Sequence, residues 1–287
     1  MKFNHLGWQR GAGKGTADVK MASRDKLFRG FPCIIDLRSR EAFERLHPAG
    51  AWRFEPGEIA DWPFALPPRD QPVFLLADDP ARARAAGAAL RAQGRRAIRL
   101  LSSDPAAWPV PAESGPERPT VWPSPWLAEV EDLLPRSGRA LDLAAGTGRN
   151  AVWLALRGLD VTAVDRLPDA LERAERLARR VGAGLTTRVA DLRRPRERPD
   201  GSWDFVCVFR YLNRDLFPWI REAVSPSGFI VFETFVGEPQ RAEGPKRPAN
   251  RLHPGELKAA FDGFEILRGR EAEDLASIVA RRPRASP

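Results

Sequence analysis

The feature that most constrains this chain is the run Leu141-Asp-Leu-Ala-Ala-Gly-Thr-Gly148, in which an apolar stretch from Arg139 to Leu143 enters a glycine turn and then a helical pattern from Ala151 to Arg157. A strand, a glycine turn and a helix in that order open a mononucleotide-binding unit, because residues without a side chain let the backbone approach a ligand that a Cβ would exclude. The third residue after Gly148 is Ala151, which a dinucleotide fingerprint also tolerates, so spacing alone does not choose the ligand. Asp142 is more telling. A carboxylate at the strand end repels a pyrophosphate, whereas it suits a ligand that bears an ammonium and a sulfonium. The next strand, Asp160 to Asp165, ends in an acid 17 residues after Gly148, placed to accept from both ribose hydroxyls. A third strand, Leu185 to Val189, leads to Asp191, placed to accept from an adenine amino group. Each acid alone is compatible with a cap or turn role. Together, three acids at three successive strand ends predict a nucleoside cofactor.

Upstream of this unit, Ser102 to Ser124 is rich in proline and small polar residues and holds neither a helical nor a two-residue apolar period. It divides the chain into an N-terminal arm (1–24), a first domain (25–103), a linker (104–122) and a second domain (123–287). In the arm, Gly11-Ala-Gly-Lys-Gly-Thr16 superficially resembles a phosphate loop, but Gly15 follows the lysine and no apolar strand precedes it. The first domain alternates strands (Cys33–Leu37, Val73–Leu76, Ala97–Leu101) with helices (about Glu41–Leu46 and Ala81–Gln93), which predicts a small parallel α/β sheet. Cys33 and Cys207 lie far apart without metal-ligand spacing, so both are expected to be reduced and no metal is expected.

The formal charge of +8 raises the question of nucleic acid. The basic residues number 46 and only six are lysine; their short runs, such as Arg193 to Arg198, carry no interleaved aromatics. A solvated surface is the expectation. With no apolar signal segment and no stretch near the roughly 20 apolar residues of a membrane helix, the expected compartment is the cytoplasm.

Two family resemblances appear. Ile35-Asp-Leu-Arg38, Glu41-Ala-Phe43 and His47-Pro-Ala-Gly-Ala51 resemble the rhodanese-like domain, which carries persulfide sulfur on a cysteine in a loop after a buried strand. Here that loop is Ala77-Asp-Asp-Pro-Ala-Arg82, with Ala77 at the nucleophile position, and Asp78 and Asp79 would disfavour a thiolate. Cys33 opens a core strand instead. The resemblance therefore implies a catalytically silent fold used for binding a partner or for domain stability. The second domain, through Leu141-Asp-Leu-Ala-Ala-Gly-Thr-Gly-Arg-Asn150 and on to Asp165, resembles the class I S-adenosylmethionine-dependent methyltransferases, and within them the tellurite-resistance group. Further strands at Trp203–Val208 and Ser227–Phe235, and a closing hairpin at Gly263–Leu267 and Ala276–Ala280, fit the seven-stranded Rossmann-like sheet this resemblance implies. Carried over by position, Asp142, Ala144, Gly146, Gly148, Asn150, Asp165, Arg166, Asp191, Leu192 and Phe209 become cofactor contacts. Ala144 replaces the usual first glycine, and its methyl group is expected to crowd the methionine end.

Ligands of open α/β sheets lie beyond the carboxyl ends of the strands, so the acceptor is expected at the loops after Val208 and Phe235. Candidate catalytic residues are Arg210, Tyr211 and His253. Arg210, Arg214, Arg241, Arg247 and Arg251 suggest a small anionic acceptor, an oxyanion or carboxylate, and the family resemblance extends this to chalcogen compounds. Two other readings stay open at this level: an RNA methyltransferase, for which no Asn-Pro-Pro-Tyr motif follows the fourth strand, and a non-enzymatic pair of binding modules.

Overall fold

Cys33-Ile-Ile-Asp36 is buried along its whole length, as expected of a parallel strand covered on both faces, and it forms the centre of the first sheet. In a computed structural model that describes residues 32–284 apart from 64, 68, 70, 119, 120 and 240–243, this strand is β1 (Cys33–Asp36). The expected arm, its glycine run Gly11–Thr16, residues 25–31 and Arg241 lie outside the described residues. After β1 come α1 (Arg40–Arg45), β2 (His47–Pro48), β3 (Trp52–Arg53), β4 (Val73–Leu76), α2 (Pro80–Ala92) and β5 (Ile98–Leu100). Strands pair in the order β3-β1-β4-β5, all parallel. Helix α1 starts where the Ser39 side chain accepts from the Ala42 amide, and α2 where Asp79 accepts from Ala81, with Pro80 in the first turn. Asp79 is thus a helix cap.

The proline-rich stretch is packed at several points. Its residues Ala112–Glu113 form β6, which pairs antiparallel with β2, and Trp108, Val110, Val121 and Trp122 are buried.

The second unit runs α3 (Pro125–Glu129), β7 (Arg139–Leu143), α4 (Arg149–Ala155), β8 (Asp160–Asp165), α5 (Pro168–Val181), β9 (Thr186–Val189) and β10 (Trp203–Phe209). It ends with α6 (Leu216–Ala223), β11 (Val224–Phe235), α7 (Glu256–Ala260), β12 (Glu265–Ala272) and β13 (Leu275–Arg281). The seven strands pair in the order β12-β13-β11-β10-β7-β8-β9, parallel except for β13, which runs antiparallel to both neighbours. The fold is therefore the α/β arrangement expected: a small parallel sheet followed by a seven-stranded sheet with a closing hairpin. β12 is longer than its apolar residues suggest. Beyond Leu267 it is charged and exposed, and Arg268 and Arg270 reach Asp132 and Glu129 beside α3.

One buried apolar cluster runs through both sheets, taking in Trp52, Phe54 and Trp62 from the first unit, Trp122 and Trp126 beside α3, and Leu171, Leu177 and Ala178 of α5. At its centre the Arg180 guanidinium lies over the rings of Phe54 (4.4 Å), Trp62 (4.9 Å) and Trp52 (5.3 Å). It also donates to the Arg53 carbonyl at 2.5 Å, while Glu117 accepts from the Arg53 amide at 2.9 Å and from Arg180 at 3.3 Å. A guanidinium desolvated among three rings gains more than an exposed one, on the order of 2 kcal/mol. Among the described residues no helix is long and apolar enough to cross a membrane.

Candidate functional site

The parallel strands β7, β8, β9, β10 and β11 all end on one side of the larger sheet, and the candidate residues gather there because strand order places those ends side by side. After β7 the backbone turns sharply: Ala144 takes φ 56°, Gly146 φ 55° and Gly148 φ 73°. For Ala144 this left-handed geometry costs about 1 kcal/mol or more. The turn is fastened to β8, with Ala145 N donating to Val164 O at 3.0 Å and Gly146 N to Asp165 Oδ2 at 2.8 Å.

The two glycines serve different ends. A Cβ built on Gly146 meets nothing within 4 Å, so the turn presents open space there, next to the Asp165 carboxylate. A Cβ on Gly148 would lie 2.4 Å from the Ala174 Cβ, so the need for glycine at that position is set by the packing of α4 on α5. Asp165 also accepts from Leu167 N at 3.0 Å, which fixes both oxygens at the strand end. Its Oδ1 and Oδ2 each hold one amide and keep a free lone pair for a ligand hydroxyl.

Asp142 is enclosed. The Cys207 thiol donates to its Oδ1 at 3.3 Å, and its Oδ2 is buried without a partner. Burial, and to a smaller degree the Asp165 charge, push its carboxyl up to about 7, against the lowering effect of the Cys207 thiol and the Ala151 amide. The Cys207 thiol is raised in turn, by burial and then by Asp142.

Several other expected contacts are engaged within the protein. Both Asp191 oxygens are held by the Arg193 guanidinium, at 2.9 and 2.6 Å, which keeps that carboxyl well below its usual range. Asn150 Oδ1 accepts from Ser124 N at 2.7 Å, tying the start of α4 to the start of α3. The Leu192 side chain is in the core and its carbonyl accepts from Arg198. Phe209 closes β10, nearly buried, and Arg166 is exposed beside Asp165.

Of the candidate catalytic residues, Arg210 follows β10 directly in a left-handed conformation (φ 57°), donates its amide to Glu233 O at 2.8 Å and places its guanidinium 3.3 Å from the buried Glu233 carboxylate. Glu233 accepts on its other oxygen from Ser277 Oγ at 2.9 Å. Tyr211 is half-buried; its hydroxyl is raised by burial first, opposed by Asn213. His253 is exposed just before α7, and its amide donates to Glu256 at 2.8 Å. Arg210 leans over Phe235 at 5.0 Å, whereas Tyr211 packs against the apolar cluster that includes Val206, Val208 and Ile230.

Two arginines suggested by the sequence have structural duties instead. Arg251 is buried, pairs with buried Asp274 at 3.1 Å and donates to the carbonyls of Val236, Gly237 and Glu238, clamping the loop after β11. Arg214 is held by Glu256 at 2.5 Å and by the Ala249 and Arg251 carbonyls. Arg247 remains exposed. Sequence reasoning gave no role to Arg149, which follows Gly148 and is half-buried. The available signal was its place at a helix start, where a cation opposes the helix dipole.

In the first unit, Ala77 follows the end of β4, and Cys33 is buried at the start of β1 with its thiol pushed up to about 12 by desolvation. Among the described residues no group of three or more His, Cys, Asp or Glu side chains is arranged to hold a metal ion.

Comparison with known proteins agrees with this layout. Residues 140–228 match the methyltransferase domain family and residues 18–109 the rhodanese-like domain family. No curated protein sequence gives a significant match. Solved structures similar to this chain include TehB from Haemophilus influenzae, 19% identical with a TM-score of 0.49, the match covering 57% of this chain and 63% of that one. The chain thus spans less than two thirds of the length of TehB. Another is an S-adenosylmethionine-dependent methyltransferase from Mesorhizobium loti, 21% identical with a TM-score of 0.45, covering 55% of this chain and 99% of that one. The fold defines an α/β protein whose larger sheet is Rossmann-like. More narrowly, the chain carries a methyltransferase domain preceded by a rhodanese-like domain, and the cofactor such a methyltransferase domain implies is S-adenosylmethionine.

The residues present fit that group. A Cβ on Gly146 would meet nothing within 4 Å, Asp165 has acceptor capacity to spare, and Asp142 holds a buried oxygen with no partner.

Proposed function

We propose that this protein transfers a methyl group from S-adenosylmethionine to a small anionic acceptor, with the rhodanese-like domain catalytically silent. The observation that carries the reading is the Gly146 turn, where a Cβ would meet nothing within 4 Å and whose amide donates to Asp165 at the end of the adjacent strand. Asp165 would hold the ribose hydroxyls, and the turn from Ala144 to Gly146 would lie along the methionine portion. When bound, the cofactor would supply an electrophilic methyl group on a sulfonium, whose carbon–sulfur bond would break with its electrons left on sulfur as an acceptor lone pair bonds to carbon. The protein's part is chiefly to hold the acceptor in line at near-attack distance, and Arg210, Tyr211 and His253 are proposed for that side of the site. Arg210 sits at the end of β10, the neighbour of β7 in the sheet, and so borders the cofactor turn.

Silence of the first domain is supported by alanine at the nucleophile position and by the buried, protonated Cys33. We place the division between the two domains in residues 104–122. Arg38, Arg180, Arg214 and Arg251 are engaged by carboxylates and carbonyls of the protein and so do not add to a basic face for RNA. The test is calorimetric titration of the full chain with S-adenosylhomocysteine. Binding that weakens at least about tenfold in Asp165→Ala supports the reading, since two charge-assisted hydrogen bonds are lost. No binding to the unaltered protein refutes it.

A further inference from the structure

A cavity of about 390 Å³ opens at the end of the larger sheet where β11 begins and β13 finishes. Its walls are the last turn of α6, the Gly263–Phe264 corner before β12 and the segment that follows β13. Phe229 of β11 pairs with Arg281 at this end of the sheet, and Phe235 pairs with Leu275 at the other. Roughly six residues of strand, about 20 Å, therefore separate the cavity from the strand ends that carry the candidate cofactor site. Its volume suits a small molecule.

Three guanidiniums line this cavity, those of Arg221, Arg282 and Arg284, against a single carboxylate, Glu222. None of the three is ion-paired among the described residues. Two are held in place by backbone oxygens instead. Arg221 donates through Nη1 to Ala260 O at 3.0 Å and lies 5.7 Å from the centre of the Phe264 ring. Arg282 donates through Nη1 to Glu222 O at 3.1 Å and to Val224 O at 2.6 Å, and its own backbone is bonded to Ser227 and Gly228 of β11. In both side chains Nε and Nη2 find no acceptor in the protein, and that edge is the fork that grips a phosphate or carboxylate with two parallel bonds. The corner at Gly263, with φ 82°, keeps the Arg221 edge clear: a Cβ built there would meet only Arg221 Nη2, at 4.0 Å. Carbonyls fix the two guanidiniums but bring only partial charges, so the positive surplus of the cavity stays uncompensated. Phe264 and Pro226 set apolar surface beside it.

We propose that this cavity binds a small phosphate monoester, its phosphate received by Arg221 and Arg282 and its organic part lying against Phe264 and Pro226. A phosphate dianion has charge and oxygens enough for both forks, whereas a single carboxylate would leave one unanswered. The site lies at the opposite end of the sheet from the methyl-transfer site and does not depend on the methyltransferase reading.

The experiment is calorimetric titration of the full chain with phenyl phosphate, inorganic phosphate and a short single-stranded RNA. Phenyl phosphate is expected to bind in a salt-sensitive manner and more tightly than inorganic phosphate, and Arg221→Gln to weaken it about tenfold. Glu222→Gln removes the one opposing charge, from an exposed side chain without a partner among the described residues, and should tighten phenyl phosphate about threefold. A gain of that kind cannot come from a damaged fold, so it decides the question even where Arg221→Gln fails to fold. Saturating S-adenosylhomocysteine should leave phenyl phosphate affinity within about twofold. No binding of phenyl phosphate by the unaltered protein would overturn the proposal, as would equal binding by the unaltered protein and both variants. Competition by S-adenosylhomocysteine would move the anion to the cofactor site and overturn it too. Inorganic phosphate binding as tightly as the ester would refute the part given to Phe264 and Pro226. Arg221-dependent binding of the RNA with none of phenyl phosphate would assign the face to nucleic acid instead. If the chain binds no S-adenosylhomocysteine, the methyltransferase reading fails and the phosphate titrations still decide this site.

Discussion

Replacing Asp142 with asparagine isolates the energetic effect of one buried carboxyl. In the folded protein this group titrates at about 7, against an ordinary 3.8, chiefly because burial penalises its charged form. Between those values the folded chain keeps a proton that the unfolded chain has released. The folded state therefore binds more protons there, and stability falls as pH rises through this window. The contribution is fully present below pH 3.8 and fully lost above about 7. At about 1.36 kcal/mol per pH unit the whole effect is about 4 kcal/mol, of which about 2 to 3 kcal/mol falls between pH 5 and pH 8. The asparagine amide is neutral throughout and keeps the size of the side chain. Urea unfolding of both proteins at pH 5 and pH 8, at matched ionic strength, should show the Asp142→Asn variant gaining about 2 to 3 kcal/mol on the original over that interval. Parallel pH dependence in the two proteins would refute the reasoning, because it would mean that Asp142 ionises alike in both states.

Three shorter predictions concern neighbouring features. Ala144→Gly removes a left-handed alanine at the cost of a more flexible unfolded chain, and thermal melting should show a gain of about 0.5 to 1 kcal/mol, with tighter S-adenosylhomocysteine binding by calorimetry. Gly148→Ala drives a methyl group into Ala174 and should cost about 1 to 3 kcal/mol in urea unfolding; Ala174→Gly in the same chain should restore part of it. Arg251→Ala strands the buried Asp274 carboxylate, so a loss of about 3 to 5 kcal/mol is expected by the same assay, and Asp274→Asn in the same chain should recover part of it.

The larger sheet was legible because its inner strands are apolar along most of their length and run into turns or loops at the same side. Leu141 to Leu143 and Phe205 to Phe209 show this plainly. The acid at Asp165 and the open glycine at 146 were legible for the same reason, since a strand end followed by a turn leaves few alternatives. Less could be read where pairing is made by the third dimension. β12 continues as Arg268-Gly-Arg-Glu271, whose charges look like a loop until Asp132 and Glu129 are brought opposite them. β2 and β6 have two residues each, too few for any period, and lie far apart in the chain. The capture of Asp191 by Arg193, two residues away, depends on a rotamer that spacing does not fix. The proline-rich segment hid Trp108 and Trp122, whose burial is set by surfaces from other parts of the chain.

The Arg180 contact has a consequence for how this molecule comes apart. Helix α5 begins three residues after Asp165 and ends with its last turn among Trp52, Phe54 and Trp62, so one rod joins the Asp165 edge of one sheet to the aromatic floor of the other. A chain that began at residue 123 would retain all seven strands yet lose the three rings that cover that helix end. The two halves are then expected to unfold as one unit, so that S-adenosylhomocysteine, if it binds as proposed, should raise the melting point of the rhodanese-like fold by the same amount as that of the larger sheet.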